Sequence, residues 1–196
     1  MNLSKVAGKF CKSPIFGLNS ADNAWVDLGV MGALQTYDRF ISERSFGQKK
    51  RVLTVLRDNP IPEAFSQIRV GDYREVFLVE TYTPDIAAEA YELIYSLRIA
   101  KYQATLIQLE GQTRLSGISA GDQETTLETI WIDLEKFGTE ESRQMEGSKY
   151  GVFTASLPAH SQARAGLILA VGSDRYRIEE VYPQLDLPTA RVIKYV

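Results

Sequence analysis

Residues with reactive or metal-binding side chains are scarce in this chain of 196 residues. It has one cysteine, Cys11, and one histidine, His160. One cysteine cannot form a disulfide within the chain, and a lone histidine far from any thiol offers neither a zinc site nor a Cys-His dyad. We therefore expect Cys11 to be a buried or idle thiol and His160 to be a surface residue without a catalytic role.

Sequence motifs for phosphate binding and acyl transfer are absent as well. The 14 glycines are scattered at turns and form no Walker or dinucleotide-binding loop, and no Gly-x-Ser-x-Gly is present. Glu179 and Glu180 are adjacent within a strand pattern, where neighbouring side chains point to opposite faces, so they cannot act together on one bond. We predict that the chain is not an enzyme and needs no cofactor or metal.

Long apolar runs are also missing. Lys5, Lys9 and Lys12 are not followed by the apolar segment of a signal peptide, and no later window is long enough to span a membrane. We expect a soluble protein with no membrane partner. The net charge of −3 argues against a domain whose main task is to bind phosphates, although an acidic body would let DNA slide past without sticking.

A pattern typical of a β-hairpin occurs twice, at Ile68–Tyr82 and at Leu169–Tyr182. In both segments an apolar run stops at Val-Gly, turns near an Asp, and restarts at Tyr-Arg with alternating apolar and charged residues. The turn of the first hairpin, Gly71-Asp72, has residue types that tolerate positive φ. The chain therefore contains two related hairpins.

The duplication extends upstream of the hairpins. The two tryptophans lie in matching tetrapeptides at Trp25 and Trp131, and each precedes the hairpin tyrosine by a similar distance. Between these anchors, Arg51–Leu56 matches Gly151–Ser156. We predict two copies of one β-unit. The residues expected to anchor its fold are Trp25, Gly71, Tyr73, Trp131, Gly172 and Tyr176.

These patterns predict a mainly all-β protein, built as two tandem small antiparallel β-barrel or sandwich units with long inter-strand loops. The predicted divisions are an irregular amino-terminal arm at 1–23, a first unit at 24–110, a linker at 111–126 and a second unit at 127–196. Ile86–Ala100 fits either a helix or a strand, and the terminal strand pattern at the matching place in the second copy favours a strand.

The most basic segment, Ser42–Arg51, precedes the third strand pattern of the first copy. It is a candidate loop for contacting DNA or an acidic partner, although charged loops are most often plain solvated connections. The candidate contact residues are Arg44, Lys49, Lys50 and Arg51. The corresponding loop of the second copy is acidic and carries Glu135, Glu140, Glu141 and Glu146. The two copies are therefore expected to face different neighbours.

The aromatic residues of the strand patterns have two interpretations. Tyrosine and tryptophan side chains could stack on nucleic-acid bases, or they could pack in cores and interfaces as strand aromatics commonly do. The residues concerned are Trp25, Tyr73, Tyr82, Trp131, Tyr176 and Tyr182. No basic groove accompanies them in the sequence, which favours packing.

The order of these features resembles the small β-barrel head–tail joining proteins of tailed bacteriophages, also called head-closure, stopper or connector proteins. The residues that carry the resemblance are the Trp25 strand, a Gly followed by a charged loop, Arg51–Val55, and Gly71-Asp-Tyr-Arg leading into a closing strand. It covers about residues 24–99 and, more weakly, 128–196, through Gly172-Ser-Asp-Arg-Tyr-Arg. Members of that family usually have one such unit, whereas this chain has two.

The resemblance implies a virion structural protein that forms a homo-oligomeric ring in the phage neck. Its partners would be the portal or adaptor ring and the tail terminator or tube proteins, with packaged DNA passing through the channel. A tail-completion or terminator ring is a related alternative. A soluble nucleic-acid-binding β module, using Ser42–Arg51 and the tyrosines, is an alternative from another class.

Overall fold

The computed structural model describes residues 10–20, 22–36, 51–82, 92–110, 123–136, 151–183 and 187–195. All regular elements in these ranges are β-strands, so the predicted all-β class is confirmed. Among the same residues there is no helix of the length and apolar character needed to cross a membrane.

The chain divides into two compact units, Met1–Ala100, called unit 1, and Lys101–Val196, called unit 2. Within the described ranges, each unit contains six strands. Those of unit 1 are β1 (Ser13–Asn19), β2 (Ala24–Thr36), β3 (Arg51–Leu56), β4 (Gln67–Val70), β5 (Val76–Tyr82) and β6 (Glu92–Ala100). Those of unit 2 are β7 (Tyr102–Glu110), β8 (Gln123–Lys136), β9 (Val152–Ser156), β10 (Ile168–Val171), β11 (Asp174–Tyr182) and β12 (Thr189–Tyr195).

Each unit is a closed antiparallel barrel, and the two barrels have the same topology. The strand order is β1-β2-β3-β6-β5-β4 in unit 1, and β7-β8-β9-β12-β11-β10 follows the same path in unit 2. The barrels close where β4 pairs with β1 and where β10 pairs with β7. Closure gives every strand of a barrel two neighbours, each paired over part of its length. The predicted tandem duplication is therefore present as two barrels.

The core of each barrel consists of the inward residues of its strands. Apolar residues alternate with outward ones, as in Ile68 and Val70 on either side of Arg69, because successive strand residues face opposite sides of a sheet. The buried cluster of unit 1 is Ile15, Val30, Leu53, Val55, Ile61, Ile68, Val70, Phe77, Tyr95 and Leu97. That of unit 2 is Ala104, Leu106, Ile130, Ile132, Ala155, Leu157, Leu167, Leu169, Tyr176, Ile178, Ala190 and Val192.

Strand pairing identifies the equivalent core positions of the two barrels. Leu34 pairs with Leu53 in unit 1, and Leu134 pairs with Ala155 in unit 2. Gly32 lies two residues before Leu34 on β2, and Ile132 lies two residues before Leu134 on β8. Gly32 and Ile132 are therefore equivalent. Ile15 and Ala104 are likewise equivalent, since they pair with Val30 and Ile130. The two barrels thus fill one layer with different combinations of large and small side chains.

The predicted equivalence of the two tryptophans is wrong. Trp25 pairs with Leu18 near the end of β1, whereas Trp131 pairs with Gln103 at the second position of β7. Trp25 is therefore the second residue of β2, whereas Trp131 lies past the middle of the equivalent strand β8. Position along a strand is determined by which side chains are buried against partners, and a shared tetrapeptide does not determine it.

The predicted equivalence of Tyr73 and Tyr176 is also wrong. Tyr73 lies in the turn before β5 and is half exposed, whereas Tyr176 lies within β11 and is buried. Ile68 pairs with Phe77, and Leu169 pairs with Tyr176, so Phe77 is the equivalent of Tyr176. The first hairpin has the longer turn, which shifts its Tyr-Arg out of the strand.

The third sequence match is displaced by two residues. Leu53 and Ala155 each pair with equivalent neighbours on both sides, which aligns Arg51 with Phe153 instead of Gly151. Threonine and valine recur along both strands, so the sequences can be matched in either register. Only the ladder to the neighbouring strands distinguishes the two.

The unit boundaries differ from the predicted ones. The predicted arm at 1–23 contains β1, and β7 belongs to unit 2, so the boundary lies between Ala100 and Lys101 instead of within 111–126. Most of that predicted linker lies outside the described residues. In the ambiguous segment Ile86–Ala100, the described part, Glu92–Ala100, is the strand β6.

Candidate interaction surface

The outer face of unit 1 carries a cluster of aromatic and arginine side chains at β1, β2 and β4. Phe16 on β1 pairs with Arg69 on β4, and Leu18 on the same strand pairs with Trp25 on β2. Phe16 follows Ile15, which faces the core, so the Phe16 side chain lies on the other face of the sheet. The strand register therefore brings Phe16, Trp25 and Arg69 together.

Trp25 and Arg69 are in direct contact. The guanidinium carbon of Arg69 lies 4.2 Å from the centroid of the Trp25 ring. Stacking of this kind is worth about 0.5–1 kcal/mol at a partly exposed site and restricts the guanidinium to one plane. This contact holds the Arg69 guanidinium over the face of the Trp25 ring.

The turn after β4 completes the cluster. Gly71 has a φ of 51°, a left-handed conformation that suits glycine, and its N–H donates to the Pro14 carbonyl at 2.7 Å. The N–H of Tyr73 donates to the Val70 carbonyl at 3.1 Å. These bonds fix the turn so that Tyr73, 49% exposed, and Arg74 extend from the barrel.

We call the set Phe16, Trp25, Arg69, Tyr73 and Arg74 the Trp25 patch. Together with Gly71 and Asp72 it lines an open depression of about 450 Å³. Asp72 is the acidic residue of this lining. Across the described part of the chain, neither Arg69 nor Arg74 forms a salt bridge with a carboxylate. The patch is therefore aromatic with a surplus of positive charge.

No protein-family model, curated protein or solved structure matches this chain. The function is therefore inferred from the geometry of the chain, and the surfaces of the two barrels are compared with each other.

The predicted contact residues of the basic segment fall mostly outside the described ranges. Arg44, Lys49 and Lys50 lie outside the described ranges, and only Arg51 lies within them. Arg51 is the first residue of β3, is half-buried, and its Nη2 lies 3.9 Å from Oε2 of Glu75. Arg51 therefore belongs to the barrel wall, where it contributes to the ladder with Leu97.

The predicted anchor residues of unit 2 have separate roles. Gly172 has a φ of 58° at the two-residue turn between β10 and β11. The Tyr176 ring packs edge-on against Phe153, with their centroids 5.2 Å apart. Burial raises the pKa of Tyr176, because the phenolate would lose its hydration, and the nearby Asp174 carboxylate adds to the effect. Trp131, on β8, is half-buried.

A buried carboxylate in unit 2 fixes the loop that contains His160. Glu128 on β8 is 8% exposed and accepts hydrogen bonds from the Ser161 hydroxyl and from the Gln162 N–H, both at 2.7 Å. The Ser161 hydroxyl oxygen in turn accepts from the Ala163 N–H at 3.1 Å. His160 is exposed in this loop. Glu128 thus provides the acceptor for a hydroxyl and a backbone N–H that take no part in strand pairing.

Cys11 is buried, as predicted, and its Sγ donates to the Thr54 carbonyl at 3.5 Å. Burial raises the pKa of this thiol, and the Glu92 carboxylate raises it further. A raised pKa keeps the sulfur protonated and unreactive at neutral pH. Within the residues that can be described, no three potential metal-ligating side chains lie close enough to hold an ion.

Phe16 and Arg69 were not predicted from the sequence as contact residues. Phe16 falls in the segment predicted to be an irregular arm, and Arg69 lies inside the hairpin pattern, where only its neighbours were considered. The alternation of Ile68, Arg69 and Val70 does place Arg69 on the outer face. Its contact with Trp25 depends on β1 lying between β2 and β4, which the sequence does not reveal.

Proposed function

We propose that this chain is a structural protein of the neck of a tailed-phage virion, forming a ring that joins the portal to the tail and helps to retain or channel DNA. The observation that carries the proposal is the double barrel: one strand order is used twice, with unlike surfaces on the two copies. A repeated scaffold with unlike surfaces suits a part that contacts two different neighbours.

The connections between the second and third strands of each barrel support two unlike contacts. Both are long, covering 37–50 in unit 1 and 137–150 in unit 2. The first contains four basic and two acidic residues, and the second contains two basic and three acidic residues. The same position of the scaffold therefore carries opposite net charge.

Barrel closure also suits a ring subunit. A closed barrel exposes few unpaired backbone groups, so subunits meet through side chains and do not add strands without limit. Head-to-tail contact between identical subunits closes into a ring when the rotation between neighbours is a fraction of a turn. The overall negative charge of −3 limits binding of passing DNA to the channel wall, since each neutralised phosphate would add salt-dependent affinity.

The test is imaging of virion necks that carry an epitope-tagged copy of the chain, combined with light scattering of the purified protein alone and with its portal. A ring of label at the head–tail junction is the expected result. Label found elsewhere, or a chain that stays monomeric with every virion component, would contradict the proposal.

The contact of Arg51 with Glu75 determines which residues of the basic segment should be changed together. Changing Lys49 and Lys50 to Gln should reduce DNA retention while the free energy of unfolding stays the same. Arg51 should be left intact in that variant, since its contact with Glu75 belongs to the barrel. Arg51→Gln then serves as the control that alters stability.

A further inference from the structure

The internal repeat shows which surface features the barrel itself does not require. The outward pair Phe16–Arg69, where β1 meets β4, corresponds to Thr105–Ala170, where β7 meets β10. The turn that carries Tyr73 and Arg74 in unit 1 is reduced to Gly172 and Ser173 in unit 2. Unit 2 closes into the same barrel without these side chains, so closure does not explain the Trp25 patch.

The composition of the patch is that of a protein-binding surface. Tryptophan, tyrosine and arginine are the residue types that most often dominate the binding energy of protein interfaces. Arg69 is already ordered against Trp25, which lowers the entropy cost of using it in a contact.

The charge of the two units indicates what the patch binds. Unit 1 contains 12 basic and 12 acidic residues, whereas unit 2 contains 10 basic and 13 acidic residues. Arg69 and Arg74 make no salt bridge with any described carboxylate, so they are available for acidic groups of a partner. Guanidinium groups bind carboxylates through paired N–H bonds. The acidic unit 2 of another copy supplies the complementary charge.

We propose that the Trp25 patch of one copy docks on unit 2 of the next copy, as the contact that joins subunits head to tail. Each copy then offers one patch and one acidic acceptor, which is the arrangement that builds a ring. This inference rests on the proposed ring function and names the surface that forms it.

The test is sedimentation velocity of the purified full-length chain over a wide concentration range. Arg69→Glu reverses a charge in the patch, and Tyr73→Ser removes an exposed ring from a turn without touching the core. Arg57→Glu is the matched control, because Arg57 is an exposed arginine of the same unit outside the patch. Circular dichroism confirms that each variant is folded.

We expect the wild-type chain and Arg57→Glu to associate alike. Arg69→Glu and Tyr73→Ser should each raise the dissociation constant by about 30-fold, the effect of losing one dominant interface side chain. Added salt should weaken association of the wild type more than that of Tyr73→Ser combined with Arg69→Gln, because the arginine contact is screened.

Three results would overturn the inference. If the wild type and both patch variants associate equally, the ring contact lies elsewhere and the neck proposal is untouched. If the wild type stays monomeric at every concentration, self-docking is wrong, and imaging of the neck decides the function separately. If a fluorescein-labelled oligo-dT binds the wild type but not Arg69→Glu, while self-association is unchanged, the patch is a single-stranded nucleic-acid site.

Discussion

The Cβ that any other residue would place at Gly32 lies 2.7 Å from Cδ1 of Leu53, with Cδ1 of Ile15 at 3.0 Å. In unit 2 the equivalent residue is Ile132, and the equivalents of Leu53 and Ile15 are Ala155 and Ala104. In unit 1 this layer is filled by side chains of the neighbouring strands β1 and β3. In unit 2 it is filled by the side chain of Ile132 on the second strand, β8. The same layer of the core is thus occupied by opposite choices of side chain in the two barrels.

This relationship predicts compensation between neighbouring core residues. Gly32→Ala should lower the free energy of unfolding by about 1–3 kcal/mol through overpacking. Leu53→Ala alone should cost about 2–5 kcal/mol through the cavity that it leaves. The double variant should cost clearly less than the sum, because the new methyl group occupies part of that cavity. Urea unfolding measures all three, and strict additivity would contradict the proposed shared layer.

The two hairpin glycines give a matched pair of substitutions. Both have positive φ, so alanine at either position should cost about 1–2 kcal/mol of backbone strain. At Gly71 the added Cβ would also lie 3.2 Å from Cβ of Ser13, whereas at Gly172 it meets nothing within 4 Å. Thermal unfolding should therefore show Gly71→Ala to be the more destabilising. Equal losses would mean that Ser13 moves aside freely.

The Glu128 carboxylate should control the order of the loop that contains His160. Glu128→Ala leaves the Ser161 hydroxyl and the Gln162 N–H without their acceptor and should cost about 1–3 kcal/mol. Hydrogen exchange at the Gln162 N–H should speed up in that variant. Glu128→Gln keeps an acceptor oxygen and serves as the control. The assignment fails if Gln and Ala give the same exchange rate.

Two exposed ion pairs of unit 2 should contribute stability that disappears in acid. Hydrogen bonds from Arg175 and from Lys194 lower the pKa values of Glu124 and Asp174, respectively. Since the folded pKa lies below the unfolded one, the contribution is present at neutral pH and is lost as pH falls through the folded value, below about pH 4. The stability difference between wild type and Arg175→Gln should therefore shrink on acidification. A difference independent of pH would contradict this.

The contact between Lys101 and Asp133 should act at the other end of the pH scale. Asp133 is 2% exposed, and its Oδ1 lies 2.9 Å from Nζ of Lys101. This ion-pair contact with Asp133 raises the pKa of Lys101, so its contribution is complete below the ordinary lysine pKa of about 10.4 and is lost as pH rises through the folded value.

Lys101→Met is the variant that tests this contact. It should lower stability by about 1–3 kcal/mol at neutral pH, because the buried carboxylate loses its donor. The difference from wild type should decrease in strongly alkaline buffer, as measured by urea unfolding. Lys136, which is exposed on the same strand as Asp133, provides the control substitution. A loss of equal size in Lys136→Met would contradict a specific role for Lys101.

The amino-acid sequence by itself determined the β class, the hairpins and the presence of two copies. Period-two alternation and the Val-Gly turns are local signals, so Ile68–Val70 and Leu169–Val171 could be assigned without knowing their neighbours. A buried or idle thiol was predicted for Cys11 because the chain offers it no second cysteine, and Cys11 is buried.

Only the tertiary structure determined register and neighbourhood. Trp25 and Trp131 share a tetrapeptide yet occupy different positions along equivalent strands, because register depends on which side chains a closing barrel can bury. The same closure places β1 between β2 and β4, and this brings Phe16, Trp25 and Arg69 onto one outer face. A contact between residues far apart in sequence depends on the order of the strands, and no local pattern encodes that order.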